Sequence, residues 1–528
     1  MMTLSIKTTL LSATILAGLT SAASAATYMR GNSGNPETLD QHKTSTTVEA
    51  HILRDLYEGL VIYNEKAEVV PGVAEEWEVT DDGLVYTFKL REDAQWSNGD
   101  PVTAGDFVFS LRRIMTPETG AKYANILYPI QNAEAINKGE VEPSELGAKA
   151  LDDKTLEITL AQATPFFIEL LTHQTGLPLH PGTVEAHGAD FVQPGNMVSN
   201  GAYTLSENIL NNKVVLTKNP NFHDAANVAI DQVNFLPFED RATCVRAWEA
   251  GEVHSCDDLP AEDLERLKSA HGDATRITPY LGTYYYALNH EDEVLADPEV
   301  RQALSMAIDR EFLADEIFTN MIAAESFVPP GIGNYSVGSP ETEYFGMSML
   351  DREDKAAEIL AAKGISPDSP VTIEIMYNAS ENHKNVATAI GDMWANLGVN
   401  VEYNVRDISA HYAHLRDRGD FDVARAGWIG DYSDPQNFLF MVESDNDGFN
   451  YARYNNPEYD GLMDQAAAET DLDKRAALLQ QAEGLFMRDL PFIPLLYYTS
   501  MNLVSPKLSG HESNIQDVHP TRFISLSE

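Results

Sequence analysis

Positive charge is scarce in this chain, cysteine is nearly absent, and apolar runs of membrane-spanning length are missing. Each shortage excludes a class of function. The 36 Lys and Arg are outnumbered by 81 Asp and Glu, for a formal net charge of −45; such a surface repels phosphates, so nucleic acid is excluded as a partner. Beyond the first residues no stretch reaches the ~20 consecutive apolar residues of a membrane helix, so the chain is not expected to be membrane-embedded. The two cysteines, Cys244 and Cys256, permit one disulfide in an exported chain. Cys244 falls early in an expected helix over 242–250 and Cys256 on the segment returning after Gly251, which leaves open a bond or two buried thiols. Catalytic signatures are lacking too. There is no G-x-S-x-G elbow and no H-E-x-x-H helix, and Gly331-Ile332-Gly333 lacks a third glycine and follows Pro329-Pro330 instead of a strand. His411 and His414 stand at a spacing that shares a helix face, but two histidines alone make a poor metal site. The chain reads as a non-enzyme with no metal and no cofactor.

What is present begins with an export signal. Lys7 precedes an apolar core from Leu10 to Leu19, and Ala23-Ser24-Ala25 is a small-residue cleavage site. Residues 1–25 are therefore expected to be a signal peptide and Ala26 the first mature residue. No cysteine follows the site, so a soluble periplasmic product without a lipid anchor is expected. The remaining length suits two or three domains. Helical and strand patterns alternate, giving an α/β class. Residues 84–90 alternate as a strand, Asn98-Gly99-Asp100-Pro101 is a turn, and Thr103 opens a helix through Arg113. Asp297 is a good N-cap with Pro298 at the first helical position. From 371 the pattern is β-α-β: Val371, Ile373 and Ile375 alternate, a helix carries Val386, Ile390 and Trp394 on one face, Gly398 ends it, and Val399–Val405 returns as a strand. Lys474–Arg488 reads as a helix and Pro491–Tyr498 as an apolar strand.

The most informative stretch is Asp422 to Tyr432. A short strand ends in bare backbone at Ala426-Gly427 and then presents Arg425, Trp428 and Asp431 within a few residues, at the carboxyl end of an expected strand, where open α/β sheets place ligands. A guanidinium, an indole and a carboxylate suit a ligand with two charged ends, such as a peptide. Two tyrosine clusters, Tyr280 with Tyr284-Tyr285-Tyr286 and Tyr497-Tyr498, offer broad contact with polar tips; Tyr284 and Tyr286 share a strand face, and the set is expected to line a cleft.

These segments resemble the periplasmic oligopeptide-binding proteins of ABC importers, the extracellular solute-binding family 5, over nearly the whole mature chain. The markers are Leu56-Tyr57-Glu58-Gly59-Leu60, Pro71 to Trp77, Asp106 to Ser110, Asn200 to Tyr203, Tyr280 to Tyr286, Val300 to Ala303 with Ala307 to Arg310, and Ala424 to Tyr432. The resemblance implies a periplasmic-binding-protein clamshell of type II. Lobe I would comprise 26–57, 182–281 and 499–528; an extra domain, 58–181, would sit beside it; and 282–498 would form the second lobe, with a hinge at the tyrosine clusters. It implies a monomer that captures short peptides and delivers them to a membrane permease. Asp431 would hold the peptide's ammonium, Gly427 leave room for its backbone and Trp428 wall its side-chain pockets. Tyr123, Tyr280, Tyr284 and Tyr497 would add aromatic surface. Arg425, Arg416 and His383 match positions that meet the peptide's carboxylate. Three departures stand out: Phe318 where the branch has a carboxylate-binding lysine, Ser45 where it has an acid, and Gly282 with Ile429 where it has a disulfide. A cell-wall peptide, a dipeptide or a metal chelate therefore remain alternative ligands, and an exported peptide hydrolase or a chaperone alternative functions.

Overall fold

The computed structural model describes residues 26–527 except 45, 261–262, 319, 334, 336–341 and 447. The expected signal peptide and Ser45 lie outside the described residues.

Two long strands organise the molecule. Thr275–Leu288 and Phe492–Val504 pair antiparallel along most of their length. They sit in the middle of a mixed 11-stranded sheet, counted among the described residues. One wing of that sheet runs from Phe492–Val504 through Ser255–Asp257, Thr27–Asn32, Gln232–Pro237 and Lys213–Lys218 to Tyr203–Ile209; the other runs from Thr275–Leu288 through Val423–Ile429 and Val371–Asn378 to Val399–Arg406. The register of the two long strands shifts between Pro279 and Thr283, where the three residues Tyr280 to Gly282 face the single residue Tyr498. A bulge of this kind bends a sheet locally.

The second wing is a three-layer sandwich, and strand alternation explains it. Tyr284, Tyr286 and Leu288 point to one side, packing with Ile373, Ile375 and Trp394. Tyr285 and Ala287 point to the other, with Met376, Ala424, Phe486 and Phe492. The expected β-α-β unit is present as strand Val371–Asn378, helix Glu381–Ala395 and strand Val399–Arg406, the strands parallel and in register. Gly398 makes the return at φ +88°, and a Cβ there would lie 2.1 Å from the Ser366 carbonyl carbon, so only glycine fits. Helix Pro298–Met306 is capped as its sequence requires, Asp297 accepting from the Glu299 N–H at 2.9 Å. Helix Leu472–Asp489 and strand Phe492–Val504 are each longer than their patterns suggested.

Residues 74–159 build a separate four-stranded antiparallel sheet, ordered Ala74–Val79, Val85–Leu90, Thr155–Thr159, Ala148–Ala150. Helix Ala104–Met115 covers it, opened by a capping box of Thr103 and Asp106. Chain ends meet at the first wing: buried Asp55 accepts from the Thr521 N–H (2.8 Å) and hydroxyl (2.6 Å). Cys244 and Cys256 are joined, with Cα atoms 6.0 Å apart, tying helix Arg241–Glu249 to strand Ser255–Asp257. No helix among the described residues is long and apolar enough to cross a membrane.

Candidate functional site

Strand Val423–Ile429 leaves the second wing and passes directly into the loop that carries Asp431. Two contacts fix that loop. The Gly430 N–H donates to the Leu281 carbonyl at 2.8 Å. Buried Asn437 accepts twice through one oxygen, from the Asp431 N–H at 2.9 Å and from the Trp428 indole at 3.1 Å. Trp428 is thereby held half-buried against Phe440 and Phe449. Asp431 itself is exposed to a cleft of about 600 Å³, a size suited to a small ligand. Its side-chain partner is the Tyr123 hydroxyl, and the Tyr123 ring in turn meets His173 edge-on at 5.3 Å. Desolvation in the cleft raises the Asp431 carboxyl above its ordinary range, and the Tyr123 hydrogen bond opposes the shift. No basic group among the described residues pairs with it, so a carboxylate stands ready for an external cation.

Six residues back along the same strand is the opposite charge. Arg425 is buried, and its guanidinium donates to three neutral oxygens: Asn378 Oδ1 (3.1 Å), Tyr412 OH (3.1 Å) and Tyr498 OH (3.0 Å). It stacks over the Tyr284 ring at 4.6 Å. The Tyr284 hydroxyl lies 3.1 Å from His383 Nδ1. Burial, reinforced by Arg425, lowers the His383 imidazole to about 3, so at neutral pH it is an uncharged hydrogen-bonding group. Phe318 packs edge-on to Tyr284 at 5.5 Å, giving this end an apolar wall where the resemblance implied a lysine. Gly427 keeps the strand bare between the two charges: a Cβ there would lie 2.5 Å from the Tyr498 hydroxyl.

The structure separates the remaining expected residues. Tyr280 and Tyr123 line the cleft with Asp431. Arg425 and Gly427 on the strand gather with Tyr284 of the neighbouring strand and His383 of helix Glu381–Ala395. Arg416 is exposed at the end of helix Ile408–Arg416, outside both groups. Tyr497 is a correction. It is buried, and its hydroxyl accepts from the Ser326 N–H at 3.0 Å and donates to the Ser326 carbonyl at 2.9 Å, so it packs the core while its neighbour Tyr498 reaches Arg425. Tyr284, Tyr285 and Tyr286 are likewise fully buried; the expected aromatic cleft surface reduces to Tyr280 and Tyr123. His411 gives its Nε2 to the Arg425 carbonyl (2.8 Å) and His414 to the Asp420 carbonyl (2.8 Å), which uses them structurally. Gly282 faces Ile429 across the strand pair, and a Cβ on it would meet Ile429 Cδ1 at 2.4 Å. Residues that the sequence did not single out are Asn437, Tyr412 and Asn378. Asn437 had a readable signal, since Asp434-Pro435 opens the short helix Gln436–Leu439.

A second cavity, about 520 Å³, separates the four-stranded sheet from the second wing. At its edge Phe166 stacks on Tyr432 at 4.8 Å, with the Arg475 guanidinium 5.6 Å from the same ring. Buried Arg475 makes two bonds to Asp434, at 2.7 and 2.8 Å. Glu169 lies beside them. Burial, opposed by the Tyr63 hydrogen bond and aided by Asp434, raises its carboxyl to about 7. Its folded value exceeds its unfolded one, so this group's contribution to stability is complete below about 4.5 and is lost as pH rises through 7. Glu169→Gln is expected to raise the urea midpoint relative to wild type more at pH 8 than at pH 5; equal changes at both would remove Glu169 as the source.

Comparison with known proteins fits this geometry. The family model described as bacterial extracellular solute-binding proteins, family 5 middle, matches residues 68–450. The periplasmic oligopeptide-binding protein OppA of Escherichia coli is 37% identical over 506 residues, 95% of this chain and 92% of that protein. The periplasmic murein peptide-binding protein MppA of the same organism is also 37% identical, over 93% of this chain and 91% of its own. Among solved structures, the unliganded open form of MppA superposes with a TM-score of 0.90 at 36% identity, covering 96% of this chain and 98% of that one. OppA of Haemophilus influenzae in complex with the peptide RPPGFSPFR superposes at 0.70 with 34% identity, covering 95% and 99%. Near-equal identity with such different superposition means that the folds agree while the parts are set differently, and this chain is set like the open form. With a family model spanning most of its length, and relatives matched nearly end to end, the chain belongs to the bacterial extracellular solute-binding proteins of family 5.

Proposed function

We propose that the chain is a periplasmic receptor that captures short peptides between two lobes and hands them to an ABC permease. The observation that carries this is a pair of charges six residues apart that no opposite charge among the described residues answers: Asp431, on the loop after the strand, has no cation partner there, and buried Arg425, on the strand, no anion partner. A buried charge is costly until it is paired, and a peptide supplies an ammonium and a carboxylate at its two ends. Six residues of extended chain span at most about 20 Å, so a peptide held at both ends has at most about six residues. Strand Val371–Asn378 pairs only with Val423 and Ala424 of the Val423–Ile429 strand, and the edge beyond them allows a peptide to pair as an added strand. The OppA and MppA relatives are binding proteins named for such ligands, and their periplasmic setting agrees with residues 1–25 acting as a signal peptide.

The lobes are 26–57 with 182–281 and 499–528 on one side, and 282–498 on the other, with 58–181 as the extra domain. The register shift between Pro279 and Thr283 is the bending point. Calorimetry with tri- to pentapeptides tests the receptor: saturable binding of free peptides is expected, and silence across such a library would refute it. Arg425→Lys is expected to weaken free-acid peptides about tenfold while sparing C-terminal amides, because lysine offers a point charge in place of the planar fork; equal losses for both would take Arg425 out of carboxylate recognition. Phe318 keeps a murein peptide as the second reading, and mass spectrometry of co-purified ligand separates the two.

A further inference from the structure

We infer that Arg54 forms an anion subsite on the first wing's side of the cleft, which selects peptides bearing an aspartate or glutamate near their amino end. This deepens the receptor reading and rests on it. Arg54 stands in the last turn of helix Thr47–Leu56 and lines the same cleft as Asp431. It is half-buried, and Nε alone among its side-chain nitrogens is enclosed without a partner. The two terminal nitrogens stay within reach of solvent. Neither donates a hydrogen bond or meets a carboxylate among the described residues.

The charge is unanswered at longer range as well. Burial lowers the guanidinium from its ordinary range; the groups opposing that shift are two tyrosines, Tyr63 and Tyr280, and Arg30 adds to it. The acids of the wall are engaged elsewhere. Asp55 is held by Thr521, Asp517 by His519 (3.0 Å) and Asn502 (2.7 Å), and Asp258 by Arg241. Both oxygens of Asp257 are enclosed, and its nearest influence is Arg30. Lys122, the other cation on the cleft, is spent on Glu37 at 2.6 Å. The histidines beside Arg54 carry no charge at neutral pH. Burial, with Arg54 close by, holds His173 at about 3, and burial with Arg30, Arg54 and His519 holds His51 well below its ordinary range. A guanidinium cannot shed its charge by losing a proton, as a desolvated lysine can, so an external anion is what answers it.

The path from Asp431 to Arg54 places that anion. The Tyr123 hydroxyl bonds Asp431, the Tyr123 ring meets His173 at 5.3 Å, and His173 lies within the influence of Arg54. His173 Nδ1 accepts from the Thr175 N–H at 3.3 Å, which puts the ring proton on Nε2 as a neutral donor. A peptide with its ammonium on Asp431 therefore brings its first or second side chain to Arg54. The terminal carboxylate is assigned to Arg425, so the second anion is a side-chain carboxylate, whose two oxygens match the planar fork.

Calorimetry on acid and amide pairs tests this: Asp-Ala-Ala with Asn-Ala-Ala, Ala-Glu-Ala with Ala-Gln-Ala, and Ala-Ala-Glu with Ala-Ala-Gln. The acid is expected to bind about tenfold tighter than its amide at the first or second position. Arg54→Gln should bring that ratio to about one. Equal affinities of acid and amide at both positions in the wild type would overturn the subsite. So would a preference confined to the third position, which belongs to Arg425, or one that survives Arg54→Gln. Arg54 makes no hydrogen bond, so replacing it strands no partner; if the variant still fails to fold, the wild-type ratios decide alone. Binding of the amide peptides tests the receptor reading separately, since that reading requires it and the subsite does not.

Discussion

Replacing Asp431 with asparagine is expected to weaken binding of free tri- to pentapeptides by about 30-fold or more in calorimetry. The side chain reaches solvent through the cleft in the open arrangement, where an isolated, water-screened pair would contribute little. Closure of the proposed lobes on a peptide is expected to change that setting. An ammonium enclosed beside Asp431 and Tyr123 without the carboxylate is a buried, unpaired charge, and truncating one partner of such a pair costs about 2–5 kcal/mol. The loss therefore lies between roughly 30-fold and several thousandfold. N-acetylated peptides separate this from a general defect. They should bind the wild type about as weakly as free peptides bind the variant, and lose little more in the variant itself. Independent, additive losses would take Asp431 away from the amine.

Arg475→Ala is expected to cost about 3–5 kcal/mol of stability, because it strands the Asp434 carboxylate in a buried setting. The two residues share a bidentate contact, with side chains 5% and 12% exposed. Asp434 also anchors the turn after Tyr432, receiving the Gln436 N–H at 2.9 Å, and so positions the loop that carries Asp431. The double variant Arg475→Met, Asp434→Leu should recover most of the loss, since removing both charges leaves nothing unpaired. Urea unfolding of the wild type, Arg475→Ala and the double variant measures the recovery. If the single and double variants are equally unstable, the cause lies in packing around Phe166 and not in charge.

The α/β class and the β-α-β unit from Val371 to Arg406 were legible because their periodicities are clean and their stops, Gly398 above all, are chemically forced. The Asp431 loop was legible because a rare constellation sits on one short strand. Tyr497 was not. Which of two adjacent tyrosines faces Arg425 depends on strand parity, and the pairing of Thr275–Leu288 with Phe492–Val504 slips twice, between Pro279 and Thr283 and between Tyr284 and Tyr285. A slip of one residue exchanges the faces, and nothing local announces it. Buried tyrosines also look like cleft tyrosines in composition, so Tyr284 to Tyr286 carried no sign of which they were.

The contact between Asp55 and Thr521 joins residues 466 positions apart, and it bears on how the protein is made. The first wing's edge against Phe492–Val504 and the buried carboxylate of Asp55 are both completed by the last tenth of the chain. Until that segment arrives, the earliest strands have no finished partner, and loop closure over such separations is slow. An emerging chain therefore stays incompletely folded until residues 492–528 have been made, so the decisive folding step follows the synthesis of almost everything it organises.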